Sequence, residues 1–419
     1  MPSQILFQID TACVEYFSAA NAKLAFVFSP LLGGNLSGNT EEGVRLLQNG
    51  FDVIVFKTNN YDWIQESPKA LVQAVDNLVA KKHFSKKVAY GTAMGGYAAV
   101  ALSFWLRPDV VMLVSPQYLA DVHFTISQTS KFFVFFDNKC PDNQHLEQWL
   151  SLIPSENARV IRLPYSGQQS SQFLLEAGLL AQLESKVFDL NSCEGIDFAQ
   201  AKGRSVAYLF NLGTALLGRN KLAAALGVTQ KALDIIGSIW SLHFRKGLIL
   251  ARLGRYHDAT HPMQAAIELE PNNTDLHYHL SICFLNLALL SEALQASSRV
   301  IALAPDRPSF LAYHSHLLWQ NEKPDESLRA ILLAIELDPS NADYRAHKSR
   351  MLQALGRLDD AIQAASKASS LAPDNQSLSD HLHALLEQKQ SQSLPPLVAL
   401  RNFDSFSSVE LDKLLAPWR

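Results

Sequence analysis

Four prolines, Pro271, Pro305, Pro339 and Pro373, stand 34 residues apart, and each closes a similar phrase: Ile267-Glu-Leu-Glu-Pro, Ile301-Ala-Leu-Ala-Pro, Ile335-Glu-Leu-Asp-Pro and Ser369-Ser-Leu-Ala-Pro. A fixed period of this length is the mark of stacked supersecondary units, none of which buries its apolar face alone. Proline ends a helix because it has no amide hydrogen to donate and its ring clashes with the preceding turn. Within the units small residues recur where two antiparallel helices must nest: Gly247, Ala259 and Ala266, then Ser281, Ala293 and Val300, Ser315, Ser327 and Ala334, and Ser349, Ala361 and Ala368. An earlier unit, 206–239, keeps Gly213, Ala225 and Ala232 but has Gly237 in place of the proline. The expected array is five repeats with a capping helix from Ser377, together spanning 206–388.

This pattern strongly resembles the tetratricopeptide repeat, a helix-turn-helix unit, over roughly residues 206–375. The resemblance implies a curved stack whose first helices line the concave side and bind a protein or peptide. By the family's pattern the groove positions include Phe244, Leu248, Arg252, Tyr278, Ile282, Asn286, His316, Trp319 and Arg350. Aromatic residues and Arg are the types enriched at binding hot spots, although Tyr278 and Trp319 fit packing between repeats equally well. The Lys/Asn/Arg set that clamps a peptide's terminal carboxylate is absent from these positions, which disfavours a chaperone-tail receptor. The histidine pairs His277 and His279, His314 and His316, and His381 and His383 are spaced i, i+2. That spacing turns the two rings to different sides of a helix, so no metal site is expected from them.

The first 190 residues alternate short apolar runs with amphipathic segments. Ile5–Gln8, Leu24–Phe28, Val53–Phe56, Val88–Tyr90, Val110–Val114, Phe132–Phe136 and Val160–Leu163 read as strands buried on both faces of a parallel sheet. Ser67–Ala80 and His145–Leu152 read as crossover helices. The fold class expected is therefore a doubly wound α/β domain followed by an all-α repeat array.

After the strand at Val88 the chain reads Tyr90-Gly-Thr-Ala-Met-Gly-Gly-Tyr-Ala-Ala. Strand, Gly-x-X-x-Gly, helix is the outline of a nucleophile elbow, whose serine stands on a strained turn. Over about residues 20–185 the chain is similar to small bacterial α/β-hydrolases with a Gly-x-Ser-Met-Gly-Gly-Tyr elbow, and Ser115-Pro116-Gln117 adds to the likeness. The resemblance implies a catalytic acid after the strand Phe132–Phe136, where Asp137 and Asp142 are available, and a catalytic His in the loop after the last strand. Here the elbow Gly91, Ala93, Met94, Gly95 carries a methyl group in place of the nucleophile, and Gln168 stands at the His position. Loss of one such member costs about 10⁶ in turnover in a well-studied protease. An engineered inactivation would need only one of the two changes. An oxyanion pocket could outlast the triad, built from the Met94 amide and one near Gly33 and Gly34, residues that fit a plain turn as well. Thr92, Ser29, Ser115 and His145 are weak substitutes for the missing groups.

Composition bounds the rest. At 419 residues two or three domains are expected, at about 150 residues each. Hydrophobic residues make up 48%, enough for a core in each half, and the net charge of -4 argues against a nucleic-acid surface. Cys13, Cys140, Cys193 and Cys283 form no CxxC pair, so zinc is not expected and reduced thiols in a cytoplasmic setting are. Neither a signal peptide nor a membrane span is legible. Residues 191–205 read as a linker and 389–419 as a Gln/Ser/Pro-rich linker with an amphipathic tail that opens on the capping-box spacing Ser407-Ser-Val-Glu.

These readings converge on a non-catalytic adaptor, a degenerate α/β-hydrolase domain coupled to a protein-binding repeat array, with no cofactor. Family association places it near bacterial cell-surface glycan machinery. Self-association stays open. The alternatives are an esterase, deacetylase or acyltransferase with noncanonical groups, and a small-ligand sensor using the vestigial pocket.

Overall fold

Alternate residues of a strand face opposite ways, so the apolar runs of the first half feed two cores at once. The computed structural model describes residues 3–29, 36, 38–59, 68–117, 125–140, 150, 153–167 and 170–393. Among these residues eight strands form one sheet: β1 (Ser3–Ile9), β2 (Ala12–Phe17), β3 (Lys23–Phe28), β4 (Asp52–Thr58), β5 (Lys86–Thr92), β6 (Val110–Val114), β7 (Lys131–Phe136) and β8 (Ala158–Arg162). Their order is β1-β2-β4-β3-β5-β6-β7-β8. From β4 to β8 neighbouring strands run parallel, as the sequence predicts, whereas β1–β2 and β2–β4 are antiparallel. The sheet is therefore mixed rather than wholly parallel, and β2 is a strand the apolar pattern misses. Glu15 interrupts its apolar run, yet it is buried, and its carboxylate meets Lys57 Nζ of β4 at 2.7 Å.

On one face Phe26, Phe56, Val111, Leu113, Phe132 and Val134 pack under α2 (Pro68–Lys81) and α3 (Met94–Ala101). On the other, Ala25, Val27, Val55, Met112 and Phe133 pack under α1 (Glu41–Gln48), α5 (Ser170–Glu176) and α6 (Leu180–Leu190). Each fully buried phenylalanine contributes roughly 1.5–3 kcal/mol. The short helices α4 (Ser103–Leu106) and α7 (Phe198–Ala201) link these elements. The expected helix His145–Leu152 lies almost wholly outside the described residues.

Five helix pairs follow: α8 (Val206–Gly218) with α9 (Leu222–Ile235), α10 (Trp240–Arg252) with α11 (Tyr256–Leu269), α12 (Thr274–Asn286) with α13 (Leu290–Leu303), α14 (Pro308–Gln320) with α15 (Pro324–Leu337), and α16 (Ala342–Ala354) with α17 (Leu358–Leu371). A last helix, α18 (Gln376–Ser393), succeeds them. Between the helices of every pair one residue takes positive φ: Asn220, Gly254, Ala288, Glu322 and Gly356, again 34 apart. That conformation closes the carboxyl end of the first helix. The small positions do more than permit contact. Ser281, Ser315 and Ser349 are buried, and their hydroxyls donate to the carbonyls of Ala293, Ser327 and Ala361 at 2.7, 2.9 and 2.8 Å, tying the two helices of each pair together.

The chain divides into two compact units at 249/250, inside α10. The sequence places a linker at 191–205, but Ser205 caps α8 and donates to Glu176 Oε2 of α5 at 2.7 Å, while the Ala207 amide reaches the same oxygen at 2.9 Å. The first helix pair accordingly belongs to the same unit as the sheet.

Candidate functional site

Ligands of open parallel sheets sit where the strand order reverses, at the carboxyl ends. Here the chain leaves β3 for β4 on one side and returns to β5 on the other, so the reversal lies beside Ser29 and Ala93. Ala93 has φ 47 and ψ -124, a conformation that costs a non-glycine residue about 1–3 kcal/mol. Close packing enforces it. A Cβ on Gly91 would stand 2.5 Å from the Gly95 carbonyl oxygen, one on Gly96 would stand 2.6 Å from Pro116, and one on Gly95 would run into the Phe28 carbonyl. The backbone of Ala93 is fully engaged, its amide donating to Val114 and its carbonyl accepting from Gly96 and Gln117.

Asp137, at the end of β7, is buried, and its carboxylate accepts the amides of Lys139, Tyr165 and Gly167 at 2.8, 3.0 and 2.9 Å. It thereby anchors the loop that leads to position 168. A buried hydroxyl chain holds the same loop: Ser115 donates to Ser170 at 2.9 Å, and Ser166 and Ser170 lie 2.7 Å apart. Against the loop stands α8. Tyr208 meets the rings of Tyr165 and Phe173, and Asn211 Nδ2 occupies the space a Cβ on Gly167 would need. Sequence reasoning missed this junction, since neither Tyr208 nor Asn211 carries a motif. Asp142, His145, Gly33, Gly34 and Gln168 lie outside the described residues, as does the 407–415 tail.

In the second unit, His316, Trp319 and Arg350 line one cleft of about 580 Å³ together with Tyr344 and His347. The cleft lies between α14 and α16, the first helices of successive pairs. The His316 and His347 rings are 6.0 Å apart, and Gln320 Nε2 is 3.0 Å from His316 Nε2. Burial, with His316 and Arg350 adding to it, pulls the His347 imidazole down to about 4, so the ring is neutral near pH 7. Tyr278 makes ring contacts within the array. It packs against Phe310 and Tyr313 at 5.2 and 5.0 Å. Asn286 is exposed and its amide donates to the Ile282 carbonyl; Arg252 is exposed; Phe244, in the first unit, packs beside Trp240. The second pair supplies a residue that sequence reasoning did not select, where α10 meets α8. The Arg245 guanidinium lies 3.6 Å over the Phe210 ring, donates to Thr214 and is pulled by burial to about 10.

Of four other histidines, two hold backbone carbonyls and two hold serine hydroxyls. His243 and His277 donate to the carbonyls of Gly237 and Pro271, and His314 and His381 bond Ser297 and Ser349. Among the described residues no group of three His, Cys, Asp or Glu side chains could hold a metal, and no helix is long and apolar enough to cross a membrane. Among the described residues no disulfide joins Cys13, Cys140, Cys193 or Cys283.

Residues 244–308 and 314–375 match the tetratricopeptide repeat family model, so the C-terminal helix pairs are tetratricopeptide repeats. None of the curated proteins matches the chain. Similar solved structures include YrrB, described as a TPR protein with an unusual peptide-binding site, at 24% identity and TM-score 0.38, covering 42% of this chain and 90% of that one. MamA from Desulfovibrio magneticus RS-1 is similar at 21% identity and TM-score 0.36, covering 45% of this chain and 97% of its own. A thermophilic TPR protein of Thermus thermophilus is similar at 18% identity and TM-score 0.34, covering 43% of this chain and 99% of its own. The repeats support a role in protein interaction.

Proposed function

We propose that the chain is a non-catalytic adaptor, in which a degenerate α/β-hydrolase-like domain is joined to a repeat array that holds a peptide segment of a partner protein. The observation that carries the reading is the cleft between α14 and α16, where His316, Trp319, Tyr344, His347 and Arg350 offer aromatic faces and one guanidinium to a single ligand. Such side chains anchor partners in clefts of this kind.

The hydrolase ancestry rests on the strained turn at the carboxyl end of β5, the glycines packed around it and the position of Asp137 at the end of β7. The absence of chemistry rests on Ala93 and Gln168. A methyl group cannot attack a carbonyl, and a glutamine amide does not act as a base near neutral pH. Asp137 is given over to loop amides in this reading, and the loop is held against α8, so the old active-site edge serves as the joint to the first repeat.

Hydrolysis of short acyl esters separates this reading from an enzymatic one. The unmodified chain is expected to match the buffer rate. A rate above buffer and equal to that of an Ala93→Ser, Gln168→His double variant would show a working site and overturn the non-catalytic reading.

A further inference from the structure

The opposite face of the repeat array carries a second, independent surface. Between α15, α16 and α17 lies a groove of about 580 Å³. Its floor is apolar, with Leu352 buried and Leu332 40% exposed. Its walls carry Arg345, Lys348, Arg357 and Lys367 against a single carboxylate, Asp360. Arg357 takes that carboxylate at 2.6 Å. Arg345 donates to the Pro339 carbonyl at 2.7 Å, and its buried Nε has no hydrogen-bond partner. Three cationic charges in the groove are thus uncompensated by the carboxylate that lines it.

The same groove recurs two 34-residue periods earlier, between α11, α12 and α13, and there the charge is reversed. His277 and Leu280 stand where Arg345 and Lys348 do, and Glu268 and Glu292 outnumber Arg299. The basic character is therefore a property of this one groove and not of the repeat. Nor is it a site for a single small anion. Arg357 and Lys367 are ten positions apart along the chain at α17, about 15 Å at 1.5 Å per residue. A ligand that meets both needs carboxylates spaced along an extended chain, with an apolar side chain between them for the Leu332 and Leu352 floor.

We infer that this groove binds an acidic linear segment of a partner protein, one whose Asp or Glu residues flank an apolar side chain. The site is separate from the α14–α16 cleft and does not depend on its assignment. Selection of a random linear-peptide library on the full chain tests it. The expected result is a class of peptides enriched in Asp and Glu around Leu or Phe. Their affinity falls at least tenfold in Lys348→Glu, Lys367→Glu and at least severalfold in Lys367→Glu alone, and is unchanged in Trp319→Ala, Arg350→Ala. The proposal is overturned if no such class emerges, if charge reversal leaves the affinities unchanged, or if single-stranded RNA displaces the peptides at equal charge. It is equally overturned if neutralising Asp404, Glu410 and Asp412 raises the peptide affinity tenfold, because the chain's own tail is then the occupant.

Discussion

Ala93 keeps a costly backbone conformation for a side chain that has no reactive atom. What holds it there is local: Gly91, Gly95 and Gly96 let β5, α3 and the Phe28 carbonyl approach to within contact. Gly95→Ala should therefore destabilise the protein by about 1–3 kcal/mol, through overpacking against backbone that cannot give way. Urea unfolding reads this directly, and an unchanged midpoint would mean the turn is looser than drawn. His347 makes a second residue-scale prediction. Its folded-state value, about 4, lies below the ordinary 6.5 because burial disfavours the imidazolium. Between those two values the unfolded chain binds more protons than the folded one, so stability rises with pH across that window and is lost on acidification through it. His279, His314 and His381 are shifted the same way by burial. His347→Gln should flatten the pH dependence of stability between about 4 and 6.5. Denaturation midpoints at matched pH values check it.

At the scale of elements, the repeat was legible because its signals are steric and periodic. Proline after the second helix in four of the five pairs and small residues at the crossings leave a readable trace. The turn between paired helices was only half legible. Gly254, Gly356 and Asn220 advertise positive φ, whereas Ala288 and Glu322 hold the same conformation with residues that disfavour it. Glu322 is exposed, and Glu322→Gly should stabilise the array by about 0.5–1 kcal/mol by removing the left-handed penalty. A drop in thermal midpoint would contradict that. Strand β2 was illegible for the opposite reason. Its buried Glu15–Lys57 pair reads in sequence as solvent-facing polarity, and a one-dimensional pattern cannot show that two charges 42 positions apart neutralise each other. The mixed sheet followed from that miss. In the candidate cleft, His316, Trp319 and Arg350 were selected from the repeat's own register, whereas Tyr344 and His347, on the same helix as Arg350, emerge only once α14 and α16 are packed.

At the scale of the molecule, the sheet and the first helix pair form one unit, joined through Glu176, Ser205 and the Asp137-anchored loop. Burial opposes ionisation of Glu176, but the Ala207 amide, Gln172 and Ser205 outweigh it and hold the carboxyl below its ordinary value. Glu176→Gln should loosen this joint by about 1–2 kcal/mol, seen as faster amide exchange at Ala207 and Tyr208 while the core strands stay protected. Composition marked 191–205 as the boundary because Gly and Ser cluster there, and it could not reveal that the following helix is capped by the preceding domain. In the function proposed above, the α14–α16 cleft holds the partner. Quantitative mass spectrometry of the proteins captured from the source organism by the full chain, compared with its Trp319→Ala, Arg350→Ala variant, tests it most directly. A partner depleted at least tenfold by the variant is expected. The same proteins at the same abundance on both would contradict it.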